Sequence, residues 1–201
     1  MRRIEKGAPP PELTHWLRKN PHGRYDDMED GSRRAIRCAA IVEQHGLCAY
    51  CCARIDVDSS HNEHVIPQSR DPNRTVDFSN LVASCKTDRQ CGKAKKNQVL
   101  PLTPWDPRCE TDLIFSLSGA VKGANIPATE TIRILNLDNR ALREKRKRMI
   151  DCLIYQEGNL QLLDDNLLKI LLDEMQPIDP DGCLQPYAPV LVHILRHYLS
   201  A

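Results

Sequence analysis

The sequence predicts an α+β fold: a small ββα unit, an N-terminal arm before it and mainly helical segments after it. Three observations predict it. Two cysteine pairs, Cys48 with Cys51 and Cys85 with Cys91, bracket short apolar runs broken by turn-prone residues. The stretches beginning near 139 and 164 repeat their apolar residues at helical spacing. Residues 1–30 are polar and rich in proline, with no period of either kind.

Taken in order, residues 1–30 read as an extended arm that wraps the core or docks on a partner. Residues 31–105 form the core, opened by a helix over 31–46, where Ala35, Ile36, Ala39, Ala40 and Ile41 share a face and Gly46 suits the C-cap. Cys48-Ala-Tyr-Cys51 makes a knuckle, Ile55–Val57 a short strand, and Glu63–Ile66 a second strand stopped by Pro67. The loop 68–79 carries turn residues such as Asp71-Pro72-Asn73, and a helix opens at Cys91 and runs to about Asn97.

Residues 106–201 begin with a hairpin, Asp112–Leu117 and Val121 about Ser118-Gly119. Asn139 caps a helix running to about Gln156 with Gly158 as its stop. Its stripe of Leu142, Met149, Ile150, Leu153 and Ile154 turns the Arg/Lys run outward. A leucine-rich helix spans about 164–175 and ends before Pro177, and a last one starts at Pro189.

Lys and Arg number 28 against 27 Asp and Glu, so the chain as a whole has no polyanion preference. The positive charge is local. Lys93, Lys95 and Lys96 follow Cys91 directly, and a second run spans Arg140 to Arg148. A local patch can hold phosphate on a nearly neutral protein.

Nine cysteines is a high and odd count. No apolar run follows Met1 as a secretory signal would require, and none is long enough to span a bilayer. The expectation is a cytoplasmic protein with no membrane partner, where clustered cysteines are metal ligands more often than disulfides. Cys48, Cys51, Cys85 and Cys91 suffice for a closed structural zinc site, with Cys52 an alternative to Cys51. Such a site has no open position for water, so this zinc holds the fold. Cys38, Cys52, Cys109, Cys152 and Cys183 carry no motif and read as small buried hydrophobes.

Inside that frame stands Glu63-His64-Val65-Ile66-Pro67. Phosphodiester hydrolysis needs a base to activate water and a cation to offset charge on phosphate and leaving oxygen. His64 is the candidate base. Glu63 offers oxygen to Mg²⁺ or Mn²⁺, and strand alternation lets both reach one phosphate only if the strand ends or bends at Pro67. Asn80 is placed to bond the loop after His64 and fix the imidazole. His61 lies near enough to contact phosphate or metal. Lys93, Lys95 and Lys96 are candidate phosphate anchors. His193 and His197 are one helical turn apart but have no partner motif, and they read as part of an apolar helix.

The combination Cys48-x-x-Cys51, Glu63-His64-Val-Ile-Pro67, Ser79-Asn80-Leu81, Cys85, Cys91 and the lysines after it resembles the HNH, or ββα-metal, endonucleases of the four-cysteine zinc subtype, over roughly residues 45–100. The resemblance implies His64 as general base, Glu63 as metal ligand and Asn80 as the residue that positions the base. It departs at Gly92, where the motif normally has His or Asn as a second ligand; Asn97 or His61 could replace it, or the metal is held loosely until DNA or a partner arrives. Met1-Arg-Arg-Ile-Glu-Lys-Gly with Leu13-Thr14-x-Trp16 is similar to a narrower group, the HNH component of Septu-type anti-phage systems, also found beside retrons. That implies nucleic acid, DNA foremost, as substrate. It further implies an ABC-like ATPase, PtuA, and a retron reverse transcriptase with its msDNA as partners. The rival reading is a zinc-stabilised nucleic-acid-binding adaptor without catalysis.

Overall fold

A computed structural model of the chain describes residues 1–154, 165–175 and 178–199. Helix α1, Pro11–Lys19, interrupts the arm that the sequence suggested was extended. Proline fits its first turn, Glu12 and the Arg18/Lys19 pair suit the two ends of the helix dipole, and Leu13 and Trp16 are buried. Either side of it, the segment lies on the core. Met1 and Ile4 are buried, Ile4 N donates to the Pro104 carbonyl at 2.8 Å, and Lys6 Nζ bridges Glu43 and the Leu81 carbonyl.

Helix α2, Asp30–Glu43, buries Ser32, Ile36 and Ala40. It ends as Gly46 takes φ +71 and its N–H reaches the Ile41 carbonyl, a turn that a side chain would strain. Buried Gln44 then ties the helix end to the sheet: its amide donates to the carbonyls of Leu47 and Ala83 and accepts from Ala83 N.

Strand β1, Ser60–His64, pairs antiparallel with β2, Leu81–Cys85, in a register that sets Ser60 against Cys85 and His64 against Leu81. This corrects the strand assignment. Ile55–Val57 is not a strand, because the Asp56 carboxylate takes the amides of Asp58 and Ser59 and closes a turn there. The second strand is instead the run after Asn80, buried along its whole length. Helix α3, Cys91–Lys95, completes the ββα unit and stops where Lys96 turns to φ +51, short of Asn97.

Beyond it, β3, Leu113–Phe115, and β4, Val121–Gly123, form the second hairpin. Helix α4, Ile126–Leu135, has no counterpart in the sequence reading; Asn125 caps it through the Ala128 amide, and Asn136 ends it in the left-handed region. Helix α5, Arg140–Ile154, is capped by Asn139, whose Oδ1 accepts from Leu142 N at 3.0 Å. Its basic run does not face wholly outward. Arg146 is 1% exposed and donates to the Gly119 and Leu137 carbonyls, locking hairpin and helix end to α5. The expected stops at Gln156, Gly158 and Pro177 lie outside the described residues.

Helices α6, Asp165–Glu174, and α7, Ala188–Leu199, pack on each other, with Leu168, Leu191, Ile194 and Leu195 buried. One apolar cluster contains Met1 and Ile4, the cysteine core, the second hairpin and residues of α4 to α7. The ββα unit is thus backed by the flanks on which its small sheet rests. Among the described residues, no helix is long and apolar enough to cross a membrane.

Candidate functional site

The sulfurs of Cys48, Cys51, Cys85 and Cys91 lie within 4.8 Å of one another, and all four residues are buried. Ligands 2.3 Å from a tetrahedral zinc stand about 3.8 Å apart, and Cys51 Sγ and Cys85 Sγ stand 4.0 Å apart. The four cysteines could therefore hold a metal such as zinc. Cys85 N–H donates to Cys48 Sγ at 3.3 Å, and Gln90 Nε2 donates to Cys85 Sγ at 3.5 Å. Hydrogen bonds from Cys48, Cys51 and Cys91 push the Cys85 thiol well below its ordinary range, while the thiols of Cys51 and Cys91 are pushed up, so without a cation the four share few negative charges. Cys52 is not in the cluster. At φ +62 its side chain turns away and packs with Leu47, Leu184 and Ala188. Among the described residues no other group of three His, Cys, Asp or Glu side chains meets in this way.

The second half of the site is built on β1 and its end. Glu63 is buried beneath α3 and has two partners: Lys95 Nζ on Oε1 at 2.8 Å and His61 Nε2 beside Oε2 at 3.3 Å. Burial works against its charge, but the bond from His61 and the Lys95 cation outweigh that and hold the carboxyl below its usual value. Lys95 is 1% exposed and also donates to the His64 carbonyl at 2.8 Å. It is therefore not the solvent-facing phosphate anchor the sequence suggested. Cys91 and Lys95 stand four apart at the two ends of α3, and both are buried. Lys93 and Lys96 are exposed, as is Asn97.

His64 ends β1 with its ring turned toward the loop. Nε2 lies 2.8 Å from the Thr75 carbonyl, and Tyr25 stands edge-on to the ring with centroids 4.9 Å apart. A carbonyl only accepts, so in the neutral imidazole Nε2 carries the proton and Nδ1 keeps the lone pair. Burial lowers the His64 pKa, partly offset by the Thr75 bond and the Glu63 charge. Asn80 is buried, takes the Ile66 amide on Oδ1 at 2.8 Å, and donates to the carbonyls of Ile66 and Arg74. It joins both limbs of the loop that leaves His64.

Sequence reasoning missed Tyr25, the Thr75 carbonyl and the role of Lys95. Only the last left a signal, its spacing from Cys91. His193 packs edge-on to Phe115, and its pKa is lowered by burial, in keeping with a place in the apolar face of α7.

No protein-family model matches the chain. It is 28% identical over 139 residues to the "Retron Vc95 putative HNH endonuclease" of Vibrio cholerae serotype O1 biovar El Tor, covering 62% of this chain and 68% of that one. It is 29% identical over 110 residues to the Septu protein PtuB of Bacillus thuringiensis, covering 51% of this chain and 41% of PtuB. The chain thus spans less than half of the second relative. The chain is thus similar to one protein named for HNH endonucleases of retrons and to one named for Septu, and it has a mixed α+β structure with a buried four-cysteine cluster.

Proposed function

We propose that the chain is a metal-dependent endonuclease that hydrolyses phosphodiester bonds, DNA foremost and RNA or tRNA next, as the effector of an anti-phage defence complex. The observation that carries this reading is the setting of His64: a buried, neutral imidazole whose proton is fixed on Nε2 by a backbone carbonyl, next to an ionised buried carboxylate.

In this reading Nδ1 of His64 takes a proton from water, and the resulting hydroxide attacks phosphorus as the 3′ oxygen departs. Thr75 and Tyr25 hold the ring. Asn80 holds the loop that continues from it, so the base keeps its direction through turnover. Glu63 has the oxygen donor set that Mg²⁺ or Mn²⁺ takes, and such a cation, when bound, supplies charge to offset that on phosphate and leaving group. Lys95 keeps Glu63 ionised and in place. Lys93 and Lys96, exposed at the end of α3, are available to backbone phosphates. The four cysteines would hold zinc as a structural ion, since four thiolates leave no position for water.

The likeness to a Septu protein and a retron protein supports a complex with an ABC-like ATPase such as PtuA, or with a retron reverse transcriptase and its msDNA. One observation favours a second reading, a non-catalytic zinc-stabilised adaptor: Gly92 supplies no side chain where the HNH motif has a ligand.

Plasmid and tRNA cleavage with Mg²⁺ or Mn²⁺, comparing wild type with His64→Ala, each with and without the ATPase, separates the two. Cleavage by wild type that His64→Ala loses is the expected result. Equal cleavage by both would remove His64 as base. No cleavage in any arm by folded, zinc-loaded protein would favour the adaptor.

A further inference from the structure

Gly92 lies against the very carboxylate that the reading above assigns to metal. A Cβ built on it would stand 2.5 Å from Glu63 Oε2 and 2.7 Å from His61 Nε2. The volume into which a ligand at position 92 would project is therefore already filled, by the Glu63 carboxylate and the His61 imidazole. His61 and Glu63 are two apart on β1, facing Ser84 and Val82 of β2, and so share one face of the strand. Gly92 is pinned beneath them by its amide, which donates to Ser84 Oγ at 3.1 Å.

We propose that His61, from the strand, replaces the helix ligand missing at Gly92, so that His61 Nε2 and Glu63 Oε2 together form the protein's half of the catalytic cation site. This rests on the assignment of Glu63 as a metal ligand and deepens it.

Two features support the pair. Octahedral ligands 2.0–2.1 Å from Mg²⁺ stand about 3 Å apart when adjacent, and the two donor atoms are 3.3 Å apart. Lys95 occupies Oε1, leaving Oε2 as the oxygen for a cation, and that is the oxygen His61 faces. Asn97, the other candidate from the sequence, is exposed beyond the Lys96 turn. The site has moved from helix plus strand to strand alone, and glycine at 92 is what admits the move.

Mn²⁺ binding to the full-length, zinc-loaded chain tests this without reference to cleavage. Titration followed by electron paramagnetic resonance would compare wild type, Glu63→Gln, His61→Ala and Gly92→Ala, with zinc content and thermal melts as the check on folding. We expect Glu63→Gln and His61→Ala each to weaken Mn²⁺ at least tenfold, and the ¹⁴N coupling of a bound imidazole to vanish in His61→Ala while His64 remains. Gly92→Ala removes no donor, yet is expected to weaken Mn²⁺ by crowding the pair. If Glu63→Gln lost the ion while His61→Ala and Gly92→Ala kept wild-type affinity and coupling, His61 would not be the ligand and Glu63 would stand. Unchanged binding in Glu63→Gln would overturn the metal assignment and this inference with it. So would a wild type that takes up no Mn²⁺, alone or with a phosphorothioate duplex.

Discussion

Tyr25, from the segment ahead of the ββα unit, stands edge-on to the imidazole of His64 at a centroid distance of 4.9 Å and an interplanar angle of 84°. The tyrosine is itself fixed: its hydroxyl accepts from Asn62 Nδ2 at 2.7 Å, and Arg33 lies over its ring. The proposed base is thus held by a residue that the HNH-like motif does not contain. Tyr25→Leu is expected to lower kcat roughly 10–100-fold through a misdirected imidazole, with KM little changed. Tyr25→Phe keeps the ring and is expected to retain most of the rate. Equal kcat in the Leu variant and wild type would show that the ring contact does not position the base.

The Lys95–Glu63 pair makes a second, thermodynamic prediction. Breaking a buried pair strands one charge and costs about 3–5 kcal/mol, so Lys95→Met is expected to lower the urea midpoint strongly. Lys93→Ala and Lys96→Ala, at exposed positions, should stay within about 0.5 kcal/mol of wild type while weakening DNA binding and its salt dependence. A Lys95→Met variant as stable as wild type, or exposed-lysine variants that bind DNA unchanged, would refute the corresponding half.

How much of this was legible in the sequence depended on the range of the signal. The cysteine frame, α2, the second hairpin and the cap at Asn139 announce themselves through local spacing and turn chemistry, and the structure has them. The strand pairing was misread because the Asp56 turn and the true partner, Leu81–Cys85, are a matter of tertiary register, which an apolar run of five residues does not encode alone. Helix α1 was hidden by prolines that mark its start as readily as they mark a coil. Tyr25 and Thr75 meet His64 through folding of distant segments, and nothing local in the sequence points to either contact. Arg146 shows the same limit: a basic run reads as a solvated face until two backbone carbonyls turn out to need a donor.

Metal removal should act on the fold as well as on activity. With four cysteines at the junction of knuckle, β2 and α3, the binding energy of an ion held there would be folding energy. Cys91 holds φ +54, a left-handed setting that a non-glycine residue adopts at some cost and that a ligand bond can maintain. Dialysis against a strong chelator, or Cys85→Ser, is expected to lower the melting temperature steeply and to release about one zinc per chain. Cys52→Ser should release none, because that sulfur faces Leu47 and Leu184. Zinc loss from Cys52→Ser, or a chelated protein that melts unchanged, would contradict the site.

The pH dependence follows from the sign of the His64 shift. Burial favours the neutral ring, so the folded pKa lies below the ordinary 6.5, and the unfolded chain binds the proton more readily. The group therefore contributes stability that is present above 6.5 and is lost as pH falls through the folded value. The active form of the base is the unprotonated one, so the same shift places the acid limb of kcat/KM below 6.5 and leaves pH 7 on the plateau. A cation held at Glu63 would move it in the same direction, since like charges disfavour the imidazolium. A profile measured from pH 5 to 8 at saturating Mg²⁺ should rise and level off before neutrality. An inflection above 6.5 would mean that another group, or a protonated His64, sets the rate.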